Sequence, residues 1–122
     1  MPPDTKLLGA WGEDLTCEYL RRRGWRIVDR NFSCRFGELD VVAAKQGITA
    51  MVEVKLRKSA RYGAAAEFVT PAKQRRLRLA AECWLSRHPT DDIVRFDVME
   101  IYAPEGLHTK KPILNRIEGA FE

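Results

Sequence analysis

Between Gly37 and Arg57 the chain reads GELDVVAAKQGITAMVEVKLR, and the way these residues are paired decides the fold. Glu38 to Ala44 and Ile48 to Leu56 are rich in β-branched and small apolar residues and flank Lys45-Gln46-Gly47, which predicts two strands joined as a hairpin. Period two places Met51, Glu53 and Lys55 on one face of the second strand and Ala50, Val52 and Val54 on the other. In the first strand it sets Glu38, Asp40 and Val42 against Leu39, Val41 and Ala43. With Gln46-Gly47 as a two-residue loop, Lys45 pairs with Ile48, and counting outward puts Asp40 opposite Glu53 and Glu38 opposite Lys55. Glutamine is not the preferred first residue of such a turn, and a slip of one residue would send Asp40 and Glu53 to opposite faces.

Opposed carboxylates repel unless a positive charge sits between them, so this register points to a divalent cation. Hard oxygen ligands suit Mg²⁺, with Mn²⁺ as its substitute. Mg²⁺ takes one or two protein carboxylates and keeps several waters, leaving room for a phosphate oxygen and an attacking water. Lys55, two residues from Glu53, is placed to orient that water or to neutralise charge developing on phosphorus. The chemistry so described is metal-assisted phosphodiester hydrolysis. A chain that is 31% charged also contains Glu-x-Lys by chance, and exposed strand faces carry such ion pairs at negligible net stability. Asp40 at a hairpin-compatible distance is what favours the functional reading. Glu13, among Gly9, Ala10, Cys17 and Leu20 at helical spacing, is a candidate third acid of the metal site. The alternative is a partly buried carboxylate paired with an arginine such as Arg26 or Arg57.

Outward from the hairpin, Asp4 or Thr5 can cap a helix running to Arg23 and stopped by Gly24, with apolar stripes of Leu8, Trp11, Leu15 and Tyr19 and of Ala10, Cys17 and Leu20. Trp25 to Asn31 reads as a strand, followed by an irregular Phe32 to Gly37. Beyond the hairpin a basic loop with Tyr62-Gly63 leads to Thr70-Pro71, the start of a helix reaching Arg87, whose stripe is Leu77, Ala80, Ala81 and Trp84. Ile93 to Tyr102 reads as a strand, and Leu114, Ile117 and Phe121 are spaced to dock the tail as a short helix. The order α-β-β-β-α-β implies an α/β fold, a mixed sheet flanked by helices.

The 122 residues, 45% hydrophobic, fit one domain spanning 1–122, with a core at about 7–102 and a tail at 103–122. Cys17, Cys34 and Cys83 make an odd set without a Cys-x-x-Cys pair, against a disulfide framework or zinc ribbon and in favour of a reducing cytoplasm. No apolar run has the length of about 20 residues that spans a bilayer, and Met1-Pro2-Pro3-Asp4 lacks the regions of a signal peptide, so no membrane is expected. A net charge of +4 is a mild bias toward polyanions.

Gly9-Ala10-Trp11-Gly12-Glu13, Asn31-Phe32, Gly37-Glu38-Leu39-Asp40, Val52-Glu53-Val54-Lys55-Leu56-Arg57 and Arg95-Phe96-Asp97 together resemble the YraN family of small bacterial proteins, whose role is unassigned. That family is similar in fold to restriction endonucleases, archaeal Holliday junction resolvases and the tRNA-splicing endonuclease domain. The resemblance runs from about Leu7 to Tyr102. It implies PD-(D/E)XK roles at matching positions: Asp40 and Glu53 as metal ligands, Lys55 as catalytic lysine, and Glu13 as the helix-borne acid seen in resolvases. Leu39 stands where the motif's proline would be, a variable position. The fold by itself does not establish catalysis.

Arg57, Lys58 and Arg61, with Lys73, Gln74, Arg75 and Arg76 at the start of the second long helix, are the candidate nucleic-acid-binding residues, forming a basic rim that tracks phosphates. Lys73 is placed to touch a scissile phosphate. A helix-end lysine whose stem packs while its ammonium reaches water is the commoner case. Trp25, Trp84 and Phe96 read as core, Asp97 as a structural acid paired with Arg95 or a helix end, and His88 and His108 as exposed loop residues. Nucleic acid, DNA ahead of RNA, is thus the expected partner of an Mg²⁺-dependent endonuclease. The competing reading is a non-catalytic binding or adaptor module in repair, recombination or RNA processing. A nuclease this small needs a homodimer or a protein partner to select its substrate.

Overall fold

The structure is a computed structural model that describes residues 5–58 and 69–121. Helix α1 (Thr5–Arg22) is followed by strands β1 (Arg26–Cys34), β2 (Gly37–Lys45) and β3 (Ile48–Arg57), helix α2 (Pro71–Arg87), and strands β4 (Ile93–Tyr102) and β5 (Ile113–Phe121). The sheet runs in order β1-β2-β3-β4-β5. β1, β2 and β3 pair antiparallel, β3 and β4 parallel, and β4 and β5 antiparallel. A parallel pair requires a long crossover, and α2 lies within it. This is the mixed sheet with flanking helices of a restriction-endonuclease-like α/β fold.

Each helix covers one face. Cys17 and Leu20 of α1 pack with Val41, Ala43, Ala50, Val52, Met99 and Ile101. Leu77, Ala80, Ala81 and Trp84 of α2 pack with Leu39, Val42, Met51, Phe96 and Val98. Trp25, Trp84 and Phe96 are buried as expected, whereas Ala10 of the first helix faces solvent. The Thr70 side chain accepts from the Lys73 N–H and Pro71 follows, which fixes the start of α2 beside the sheet. Trp84 Nε1 donates to Asp29 Oδ2 at 2.9 Å and ties the other end of α2 to β1. Asp97, fully buried, accepts twice from Arg95 and once from the Gly119 N–H, in keeping with a structural acid.

The hairpin count holds at the turn, where Lys45 pairs with Ile48. Gln46 and Gly47 both have positive φ, 47° and 81°, so the two-residue turn forms with glutamine in a conformation that asparagine or glycine tolerates better. Two other expectations differ. β1 does not end at Asn31 but continues to Cys34 through a residue in left-handed geometry, Asn31 at φ 54°. The tail is a strand, not a helix: Leu114 packs on the α1 side while Ile117 and Phe121 pack on the α2 side. The 114/117/121 spacing imitates a helical stripe, yet the free edge of β4 offers a full row of unpaired backbone groups, and pairing with it satisfies the tail's own.

Asn31 has a consequence for the faces. Arg30 reaches Glu13 and Asp14 on α1, whereas Phe32, two residues on, packs in the α2-side cluster. β2 changes faces at the same level, with Leu39 on the α2 side and Val41 on the α1 side. Strict alternation, which groups Leu39 with Val41 and Ala43, therefore fails across Asp40. We expect Asn31→Val, favourable by strand propensity, to lower stability instead by about 1 to 3 kcal/mol because the left-handed site excludes a β-branched residue, and Asn31→Gly to cost less. Gln46→Asn should raise stability by about 0.5 kcal/mol. Urea denaturation of the variants measures all three.

Candidate active site

Backbone pairing of β2 with β3 runs from Lys45↔Ile48 to Val41↔Val52. Beyond it Asp40 Oδ2 accepts the Val54 N–H at 2.8 Å, so a carboxylate takes over where the ladder ends. On the count from the turn Asp40 lies level with Glu53, close enough for the two carboxyl groups to act on one another. Burial, then the Glu53 charge, push the Asp40 carboxyl up to about 7, against the opposing pull of the Val54 N–H.

Glu53, 8% exposed, has lysines as its other partners: Lys73 Nζ at 2.6 Å and Lys55 Nζ at 3.5 Å from Oε1. Burial and the neighbouring Lys73 lower the Lys55 pKa, with Glu53 opposing. Burial works against the Lys73 charge as well, but the ion pair with Glu53 prevails and raises its pKa. Lys73 thus points its ammonium into the carboxylate pair rather than into water. Its place one helical turn before the α2 core residue Leu77 was the sequence signal for it. The expected Glu38–Lys55 pair does not form: Glu38 accepts from Ser33 Oγ at 3.3 Å on the β1 side.

Glu13 sits on α1 with Arg30 Nη2 3.5 Å from its Oε1, and its charge is felt at Asp40. Arg30 also binds Asp14 at 2.9 Å; the arginine is therefore neither Arg26 nor Arg57. Gly12 explains the approach, since a Cβ there would meet the Leu56 side chain at 3.2 Å. Among the described residues no group of three or more His, Cys, Asp or Glu side chains is arranged to hold a metal ion, so the structure does not gather Glu13 with Asp40 and Glu53 as a ligand set.

The basic rim divides. Arg57 is turned onto the buried Glu100, 3.4 Å away, with Tyr102 hydrogen-bonded to the same carboxylate. Gln74 donates to the Val69 carbonyl at 3.0 Å and accepts from Arg78, a bond that closes the start of α2. Lys58, Arg75 and Arg76 are exposed, and Arg61 lies outside the described residues, as does Tyr62-Gly63. Asp40, Glu53 and Lys73 line a cavity of about 540 Å³ that Arg76 and Leu77 border from α2 and Cys34 to Glu38 border from the β1–β2 turn. The turn residues Arg35 and Phe36 were missed because the segment reads as irregular.

A restriction-endonuclease-like α/β sheet carrying a carboxylate pair and two lysines where two strands part defines the class. The chain belongs to the family described as Uncharacterised protein family UPF0102, whose profile matches residues 12–101, the same family as the YraN proteins. It is 46% identical over 118 residues to a UPF0102 protein of Geobacter sulfurreducens, covering 96% of this chain and 90% of that one. It is 42% identical over 123 residues to a UPF0102 protein of Pelobacter propionicus (98% and 88%) and 45% over 115 residues to one of Mycolicibacterium gilvum (92% and 91%).

The raised Asp40 pKa gives a pH dependence of definite sign. Between its ordinary value of 3.8 and about 7 the folded chain holds a proton that the unfolded chain releases. Stability therefore falls as pH rises through that window. In metal-free buffer Asp40→Asn should be on the order of 1 to 3 kcal/mol more stable than the parent at about pH 8 and lose most of that advantage toward about pH 4. Thermal melts with EDTA across this range check it; an advantage that does not change with pH would mean that Asp40 is not titrating there.

Proposed function

We propose that the protein is an Mg²⁺-dependent endonuclease that hydrolyses phosphodiester bonds of DNA or of structured nucleic acid. The observation that carries this reading is the Asp40–Glu53 carboxyl pair, mostly buried and flanked by Lys55 and Lys73 at a cavity with an exposed arginine on its border. Two adjoining carboxylates kept from full ionisation suit a hard cation, and the donor set, all oxygen and only two acids, suits Mg²⁺ or Mn²⁺. Asp40 and Glu53 would hold the ion, which when bound supplies a water activated for attack and a positive centre for the phosphate oxygens.

The chain's own groups do the rest. The Val54 N–H fixes Asp40, and the hairpin register fixes Glu53 beside it. Lys55, with its pKa lowered, is suited to orient the attacking water or to bind a phosphate oxygen as charge builds there. Lys73, whose ammonium lines the cavity beside Glu53, would be the group to bind the scissile phosphate. Glu13 adds negative potential near Asp40 while Arg30 holds it in place. A homodimer or a protein partner is proposed to extend the substrate surface. A reducing cytoplasm is the proposed compartment, since Cys17, Cys34 and Cys83 are free thiols. No helix among the described residues is long and apolar enough to cross a membrane.

One observation favours the second reading, a nucleic-acid-binding adaptor without catalysis: the Lys73 ammonium already neutralises Glu53, so the cluster is satisfied without an ion. Cleavage assays separate the two. With Mg²⁺ or Mn²⁺ the parent should nick or cut a nucleic acid from a panel of DNA and RNA forms, Asp40→Asn and Glu53→Gln should each abolish cutting, and Lys55→Ala should reduce it by about 10²-fold or more while sparing metal binding. A parent with neither cleavage nor a metal-induced thermal shift dependent on Asp40 and Glu53 would leave the adaptor.

A further inference from the structure

The cavity over Asp40 and Glu53 has walls of different chemistry. On one side α2 contributes Lys73 and the exposed Arg76. On the other the tight β1–β2 turn contributes Arg35 and Phe36, with the Arg35 guanidinium stacked 4.7 Å from the centre of the Phe36 ring. The turn is held in place, since Gly37 pairs with Cys34, and Ser33, whose hydroxyl binds Glu38, pairs with that residue. Phe36 is thus an aromatic side chain bordering a charged cavity in a short, anchored turn, although nothing in the two core clusters requires it there.

We propose that this cavity takes an unpaired nucleotide, so that the substrate is a single strand or the unpaired segment of a structured nucleic acid. The inference rests on the nuclease reading for the fate of the phosphate, but its recognition chemistry is separate. The volume of about 540 Å³ falls in the range of pockets that enclose one small ligand, roughly 300 to 1,000 Å³. A base in a continuous duplex is stacked and paired, and to lie in a half-open cavity of this kind it must first leave the helix. A base that is already free can lie on the Phe36 ring, because every base has a face to stack. Arg35, already stacked on that ring, lengthens the platform, and a guanidinium and a base share the preference for an aromatic face. Arg76 and Lys73 on the opposite wall meet the phosphate, which brings it to the carboxylate pair. Phosphate contacts alone would make no distinction between strands and duplexes; the aromatic wall does.

Fluorescence anisotropy of the full chain tests this in EDTA, where no cleavage intrudes, with labelled single-stranded DNA, single-stranded RNA, a blunt DNA duplex, and the same duplex bearing an unpaired overhang. The parent should bind single strands and the overhang at least about tenfold more tightly than the blunt duplex, and the DNA and RNA arms identify which strand is preferred. Phe36→Ala should lose about tenfold in single-strand affinity, Phe36→Tyr should retain it, and Arg76→Ala should weaken binding to every form and lower the slope of log affinity against log salt by about one. Blunt duplex bound as tightly as single strand overturns the proposal, as does a folded Phe36→Ala that binds like the parent. If Phe36→Ala does not fold, the parent's preference among the four probes decides. Phe36-dependent strand binding without any cleavage in Mg²⁺ upholds this inference and removes the nuclease; cleavage without strand preference does the reverse. Binding to none of the probes at low salt overturns both.

Discussion

The Val54 N–H comes at the level where β2 ceases to pair with β3, and a backbone donor on a partly buried strand must find an acceptor. Asp40 supplies it. That bond holds a carboxylate in the interior beside Glu53, and much else in the molecule accommodates the outcome. Lys73 comes from α2 to the paired acids, the Thr70 cap sets where α2 begins, and the Asn31 turn of the β1 backbone lets the neighbouring strand change faces at the same level. A serine or an alanine at position 40 would leave the Val54 N–H either a neutral acceptor or none, while Glu53 would keep its two lysines without a second acid beside it.

A buried pair of acids is a poor device for stability. The chain limits the damage by crowding two ammonium groups on Glu53, while burial pushes the Asp40 carboxyl up to about 7 and the Lys55 ammonium below its ordinary value. A carboxyl at about 7, as Asp40 is, exchanges its proton easily near neutral pH, which is the property that acid–base chemistry needs. The purely structural acid Asp97 differs: it has a bidentate arginine and a backbone donor, and therefore no unsatisfied demand.

What the residues revealed before any coordinates was the register, and with it most of the site. Two-residue counting from Gln46-Gly47 works because the hairpin is local, and it fails at Glu38 and Leu39 because the face change originates in the neighbouring strand, at a residue whose left-handed geometry no periodicity announces. The Arg57 ion pair with Glu100 was equally hidden, since a basic residue beside a basic loop looks solvent-directed until the parallel neighbour is known. The tail misled for a simpler reason: apolar residues three and four apart can face one helix stripe or alternate between two sheet faces, and only the presence of an open strand edge distinguishes the cases.

The parallel pairing of β3 with β4 joins residues as distant in sequence as Ile48 and Ile93, whereas the hairpin that holds Asp40 and Glu53 closes on itself. Loop-closure entropy makes the local pairing quick and the distant one slow. On the growing chain the acid pair is therefore made before α2, and Lys73 with it, has been delivered to the opposite wall. During that interval the two carboxylates face one another without Lys73 and without the wall of the second helix, so the nascent molecule carries a more anionic notch, which the finished one has walled and balanced.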